Sequence, residues 1–351
     1  MSENFSKKIT FYNFAMTMLM VLYHWKNFSL LALTPEGADL RFINILYRLY
    51  DSLGALSLGT FFLMSGFLLY YGCSGTDDLK RKFKKRIKTL LIPFAVWNLL
   101  YFIYIVLRDS VKGRLSLNIK DIILGFTFSC YNGPLWYLLA LIMLLFLSPL
   151  VLKLREKKVL ALSVLSVVSI VCVLITSFVG SSNLFAVWFL RLSFYIPLYF
   201  VGAVAALVYS DKVVNEVYRK PVFVIIASLL SIAIAVYFAA FTQKAPIFNG
   251  IIKYIWVITV WGAIGANVFS KLKVTAFVKN NFIVFALHSV LIGIINTIFN
   301  RIFGAIIFMP WITVIIHFGL IALLYFISLA FALICQKILP KKIYFALSGG
   351  R

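Results

Sequence analysis

Two histidines carry the first chemical signal in this chain. His24 lies in a stretch, residues 9–25, that contains no Asp, Glu, Lys or Arg. His288 lies in Phe282-Ile283-Val284-Phe285-Ala286-Leu287-His288-Ser289. An ionisable side chain in so apolar a run is expensive in lipid and points to function. Imidazole moves protons near neutral pH, so the chemistry on offer is general base catalysis, or relay of a transferred group on the ring. Asn13 stands eleven residues before His24. On a helix that is about three turns, or roughly 16 Å, so the two share a face with Thr17 and Met20 between them. Asn281 stands two turns before His288 on its own helix face. A plainer role competes, that of a histidine making one hydrogen bond between helices. For His288 the two roles balance, and His317 is read as structural.

Three further stretches could serve such a pair. Phe61-Phe62-Leu63-Met64-Ser65-Gly66-Phe67 offers Ser65, which can hydrogen-bond in lipid, and Gly66, which admits a close neighbour. Taken alone it reads as packing. Residues 80–88 hold seven Lys and Arg ahead of Pro93. They act either as a lipid-facing anchor or, through Lys82, Lys85 and Arg86, as a contact for donor phosphates. In Asn132-Gly133-Pro134-Leu135-Trp136-Tyr137, the first three residues make a turn and Pro134 suits an early helix position. Trp136 and Tyr137 are interface anchors or site-lining groups. Gly-rich phosphate loops, His-Glu-x-x-His and Gly-x-Ser-x-Gly are all missing. The four cysteines, Cys73, Cys130, Cys172 and Cys335, have neither metal nor disulfide spacing and read as small apolar residues.

The elements that must hold these residues are membrane helices. The chain is 63% hydrophobic, with a mean hydropathy of +0.99, far above a soluble domain. Ten segments are long and apolar enough to cross ~30 Å of hydrocarbon. They lie near 9–31, 52–72, 89–107, 134–152, 159–179, 186–209, 221–241, 251–270, 277–298 and 311–336. The stretch 119–129 is expected to lie in the interface or dip in without crossing. The net charge of +23 invites a nucleic-acid reading, but its distribution argues against one. If the chain starts inside, 23 of the 34 Lys and Arg fall on inside segments. That bias predicts ten spans with both termini in the cytoplasm, and anionic lipid headgroups as partners of the basic segments. The first apolar segment lacks a cleavage site and is expected to stay as a helix. No lipidation motif stands at either end. The expected architecture is an all-α integral membrane protein, a single transmembrane domain over 1–351 with no separate soluble domain.

Together these stretches resemble the membrane acyltransferase 3 family, multi-spanning bacterial enzymes that move acyl groups, usually acetyl, onto extracytoplasmic glycans. Val21-Leu22-Tyr23-His24 resembles the end of that family's first span, where an Arg precedes a His with ten residues between. The 61–67 stretch resembles its Phe-Phe-x-x-Ser-Gly-Phe/Tyr segment. Residues 82–93 resemble its basic loop and proline, and Phe285-Ala286-Leu287-His288 its late Tyr-Leu-x-His. Weaker matches fall at 133–137 and at Tyr199-Phe200-Val201-Gly202-Ala203. The resemblance implies a plasma-membrane O-acyltransferase. Its donor would be acetyl-CoA or another acyl-CoA, with no permanently bound cofactor and no metal. Its acceptor would be a hydroxyl of a cell-surface glycan or lipid-linked sugar. His24 and His288 would be catalytic. Asn13, Lys82, Lys85 and Arg86 would bind donor, and Ser65, Trp136 and Tyr137 would line the site. One departure stands out: Asn13 occupies the position of the family's Arg, and Asn has no charge to meet a phosphate. Arg86 or another basic residue is the candidate to replace it. Two other classes remain open, a transporter or flippase of a glycolipid or small metabolite, and a relative without catalysis.

Overall fold

The computed structural model describes residues 3–25, 41–116, 118–128, 131–178, 180, 183–210, 221–240, 246–262, 272–303, 306 and 309–350, and all regular structure among them is helical. The ends of the first, fifth, seventh and eighth apolar segments and of the 119–129 stretch, the basic stretch 212–220 and Cys130 lie outside the described residues. In chain order the helices are α1 (Glu3–Trp25), α2 (Arg41–Tyr70), α3 (Thr76–Val111), α4 (Ile119–Phe126), α5 (Trp136–Phe146), α6 (Ser148–Leu152), α7 (Lys158–Phe178), α8 (Leu184–Val208), α9 (Pro221–Ala240), α10 (Pro246–Gly262), α11 (Ala276–Lys279), α12 (Asn281–Phe303), α13 (Pro310–Ile338) and α14 (Lys341–Ser348).

Among the described residues, six helices are long and apolar enough to cross a membrane: Ile43–Tyr70, Thr76–Val111, Lys158–Ile175, Leu184–Val208, Asn281–Phe303 and Trp311–Ile338. Shorter apolar helices cover Gly133–Phe146 and Val224–Ala240. Three sequence expectations change. The second helix starts at Arg41, well before residue 52, because the backbone stays helical through Arg48 and Asp51. The basic run 80–88 is helix, not loop. Lys and Arg are good helix formers and leave the backbone ladder intact. Pro93 accordingly falls deep inside α3. Finally, the apolar run 134–152 breaks at Leu147, because Pro149, in the first turn of α6, has no amide hydrogen to continue the ladder.

The chain divides into two compact units, Met1–Thr60 with Val217–Ile338, and Phe61–Glu216 with Leu339–Arg351. In the first, α1 packs on α12 and α13. Its core gathers Val21 and Trp25 of α1, Ile43 of α2, Ile292 and Phe299 of α12, and Leu324 and Tyr325 of α13. The Ser57 hydroxyl donates to the Met16 carbonyl at 2.6 Å and stitches α2 to α1.

In the second unit, α3 packs on α5 and α7 on α8. The end of α2 meets α8 backbone to backbone. A side chain on Gly66 would strike the Tyr199 carbonyl, and one on Gly202 would strike the Leu63 carbonyl. Two helices can approach this closely only where small residues face each other. The C-terminal α14 is tied to α3 by the Trp97 indole, which donates to the Leu347 carbonyl at 2.9 Å.

Candidate active site

Helix α1 is unbroken from Glu3 to Trp25, so Asn13 and His24 lie on one rod. The Thr17 hydroxyl donates to the Asn13 carbonyl at 2.9 Å. Tyr23 is seated by Gly54 of α2, where a Cβ would come within 2.5 Å of the tyrosine ring. The next residue, His24, turns its ring toward α12. There it meets His288, with ring centroids 4.9 Å apart and planes tilted by 46°.

His288 is 0% exposed. Its Nδ1 lies 2.5 Å from the Phe285 carbonyl one turn back. A carbonyl can only accept, so Nδ1 carries the hydrogen and Nε2 carries the lone pair. That Nε2 is buried without a hydrogen-bond partner. A fixed tautomer with a free basic nitrogen in a dry environment is the arrangement a general base needs. Asn281, two turns earlier on α12, is also buried.

His317 of α13 is placed differently. Its Nε2 lies 3.1 Å from the Tyr50 hydroxyl, its ring stacks on Tyr50 at 5.6 Å, and Trp25 meets it edge-on at 6.0 Å. Tyr50 lies ahead of the segment expected near 52–72, and nothing in the sequence beside His317 points to it.

The second unit gathers the other nominated residues in two places. A narrow cleft is lined by Ser65 and Leu69 of α2, Arg86 and Leu90 of α3, Leu141 and Leu145 of α5, and Tyr199 of α8. It brings together Ser65 and Arg86, chosen separately from the sequence, and adds Tyr199. The helix period explains the convergence, since Ser65 and Leu69, Arg86 and Leu90, and Leu141 and Leu145 are each four residues apart. Lys82 does not line this cleft: its ammonium donates to the Tyr71 carbonyl at the end of α2. Lys85 is exposed.

Trp136 and Tyr137 are both buried, in an aromatic cluster at the start of α5. The Asn132 amide, held by the Asn98 side chain at 3.2 Å, anchors the turn before them. Phe61 stacks on Tyr137 at 5.9 Å, and Phe62 lies 6.1 Å from Trp136. The Arg191 guanidinium sits 5.3 Å over the Trp136 ring, a cation–π contact that accounts for a charge inside the sixth apolar segment.

A family model for an acyltransferase domain matches residues 14–335. The chain belongs to that acyltransferase family. No curated protein and no solved structure matches it. The family's activity class is acyl transfer, and the apolar helices make this acyltransferase a multi-pass membrane protein. Its match spans both compact units and includes every nominated residue except Asn13, which lies one position before the match begins.

Proposed function

We propose that this acyltransferase moves an acyl group, acetyl first among the candidates, from acyl-CoA to a hydroxyl of a cell-surface glycan or lipid-linked sugar at the bacterial plasma membrane. The observation that carries the reading is the His24–His288 pair, with the Nε2 lone pair of His288 buried and unpartnered. In this reading a histidine of the pair takes the acceptor's hydroxyl proton, and the neighbouring ring stabilises or passes on the charge. The acceptor oxygen attacks the thioester carbonyl carbon, the carbon–sulfur bond breaks, and the thiol leaves with the proton.

Arg86, Lys82 and Lys85 are assigned to the donor's phosphates, with Arg86 taking the part of the missing charge at Asn13. Ser65 is assigned to the donor-side cleft. Trp136 and Tyr137 are assigned to the acceptor, since aromatic faces suit sugar rings. The same proposal takes the chain through the membrane ten times with both termini in the cytoplasm. The six helices of spanning length among the described residues and the positive-inside bias support it. Anionic headgroups then surround the basic segments.

The test is mass spectrometry of surface glycans from cells with the wild-type chain, without it, and with His24→Ala or His288→Ala. Acyl groups that appear only with the wild-type chain are expected. Glycan acylation unchanged by loss of either histidine would sink the proposal.

A further inference from the structure

Two positive charges of the first compact unit have no part in the proposed site, Arg48 of α2 and Lys253 of α10. Lys253 is the one charged residue of the apolar helix α10. Its ammonium sits 5.6 Å over the Phe238 ring of α9 and feels the Asp51 carboxylate of α2. Arg48 stands three residues before Asp51, on the same side of α2. The three charges belong to one cluster of α2 and α10, and two of them are positive.

Three observations separate this cluster from a lipid anchor. The first is the state of Arg48. Its Nε is buried with no hydrogen-bond partner, and no ion pair to it exists among the described residues. An anchoring guanidinium reaches outward to the headgroups. This one has a donor closed off by protein, and an unmet donor on a charged group is costly. The second is Asn249, four residues before Lys253 on the same face of α10 and 4% exposed. Its carbonyl accepts from the Tyr237 hydroxyl at 3.0 Å, which fixes the amide and leaves its N–H groups to donate. The third is place. Gly54, six residues after Arg48 on α2, seats Tyr23 next to His24. Six helical residues span roughly 9 Å, the reach of a short saccharide.

We propose that Arg48, Lys253 and Asn249 hold the oxyanion of an acidic sugar, a phosphate or a carboxylate, while a hydroxyl of that sugar or of its neighbour reaches the histidine pair. The sugar's role as acceptor rests on the proposed acyl transfer. Arg48 offers a planar fork that takes two oxygens at once. Lys253 adds a point charge, and Asn249 adds neutral N–H donors. Asp51 holds the cluster to one surplus positive charge and can accept a hydroxyl of the ring. A neutral sugar leaves that surplus unmet, so the cluster selects acidic acceptors over neutral ones.

The experiment uses the full chain in detergent free of phospholipid and in nanodiscs of phosphatidylcholine or phosphatidylglycerol. Each is dialysed against radiolabelled glucuronate, glucose 1-phosphate or glucose, and surface glycans of cells are mapped by mass spectrometry in parallel. Expected is binding of an acidic probe about tenfold or more tighter than glucose in all three settings, the scale of charge-assisted contacts. Arg48→Gln and Lys253→Gln should each shrink that preference severalfold. The wild-type comparison needs no variant, so a poorly folded Arg48→Gln leaves the test intact. Equal binding of acidic and neutral probes overturns the inference. So does a preference lost in phosphatidylglycerol nanodiscs alone, which assigns the cluster to bulk headgroups. Acyl groups found on a neutral glycan overturn it too and leave the proposed function standing. A preference for acidic probes with no glycan acylation keeps the anion site and overturns the proposed transfer.

Discussion

The rings of His24 and His288 lie 4.9 Å apart, on two helices taken from opposite ends of the chain. Residues that act as one unit lose nearly everything when either is removed. Initial acyl-transfer rates of purified protein should fall about 10²- to 10⁴-fold for His24→Ala and for His288→Ala. The double variant should be little worse than the singles. Multiplying losses would mean the two rings work separately.

His317 and Tyr50 should behave as structure. Tyr50→Phe removes a buried hydrogen bond and leaves a ring nitrogen without its partner, which costs about 1–3 kcal/mol. The prediction is a lower melting temperature in detergent, with transfer per folded molecule held within about twofold. A rate loss of the size seen for His288→Ala would move His317 into the chemistry.

The contact of α2 with α8 leaves no room for a methyl group at either glycine. Gly202→Val should destabilise the fold by about 1–3 kcal/mol or more, the range for overpacking. Gly180→Ala, at a position with open space around it, should be close to neutral. Thermal shift and the yield of monodisperse protein are the measurements. A neutral Gly202→Val would mean these helices do not meet as described.

Arg86 sits in the cleft with Ser65, while Lys85 is exposed. Arg86→Ala should raise the KM for acetyl-CoA about tenfold, the scale of one lost charge-assisted contact. Lys85→Ala should change it by less than twofold. Equal effects would favour a diffuse attraction to the basic helix.

Burial pushes the Cys73 thiol up from its ordinary value, while Lys82 and Arg155 draw it down by less. A raised value means less thiolate at neutral pH, so maleimide labelling of Cys73 should be slower than for a free thiol and should climb steeply above pH 8. Lys82→Ala removes one opposing charge, so its labelling curve should move to still higher pH. A shift toward lower pH would contradict the placement of Lys82.

Much of this was legible because hydrophobic runs and helix spacing are local. The helices around Ser65, Arg191 and His288 follow from apolar length, and the common face of Asn13 and His24 follows from the helical period. Charged helix ends were less legible. The stretches around Arg48 and Lys85 look polar to hydropathy but cost a helix nothing, so α2 and α3 run further than expected. Partnerships between distant segments were not legible. Nothing near His317 announces Tyr50, and nothing near Ser65 announces Tyr199. The one hint was Gly66, whose lack of a side chain marked a close approach without naming the partner.

At 36 residues, α3 measures about 54 Å at 1.5 Å per residue, against ~30 Å of hydrocarbon. Roughly 20 Å of it must therefore stand outside the lipid. Its seven Lys and Arg between 80 and 88, set about 100° apart per residue, cover about two thirds of the circumference and leave the remaining face to Phe83 and Ile87. Such a collar works as a depth gauge. It can neither sink into the acyl chains nor lift away from the headgroups without a large electrostatic penalty. Arg86 and Leu90 ride on the same rod, so the Ser65 cleft is held at a set height relative to the headgroups, and thinner or thicker bilayers should shift catalytic rate even though no lipid touches the reacting atoms.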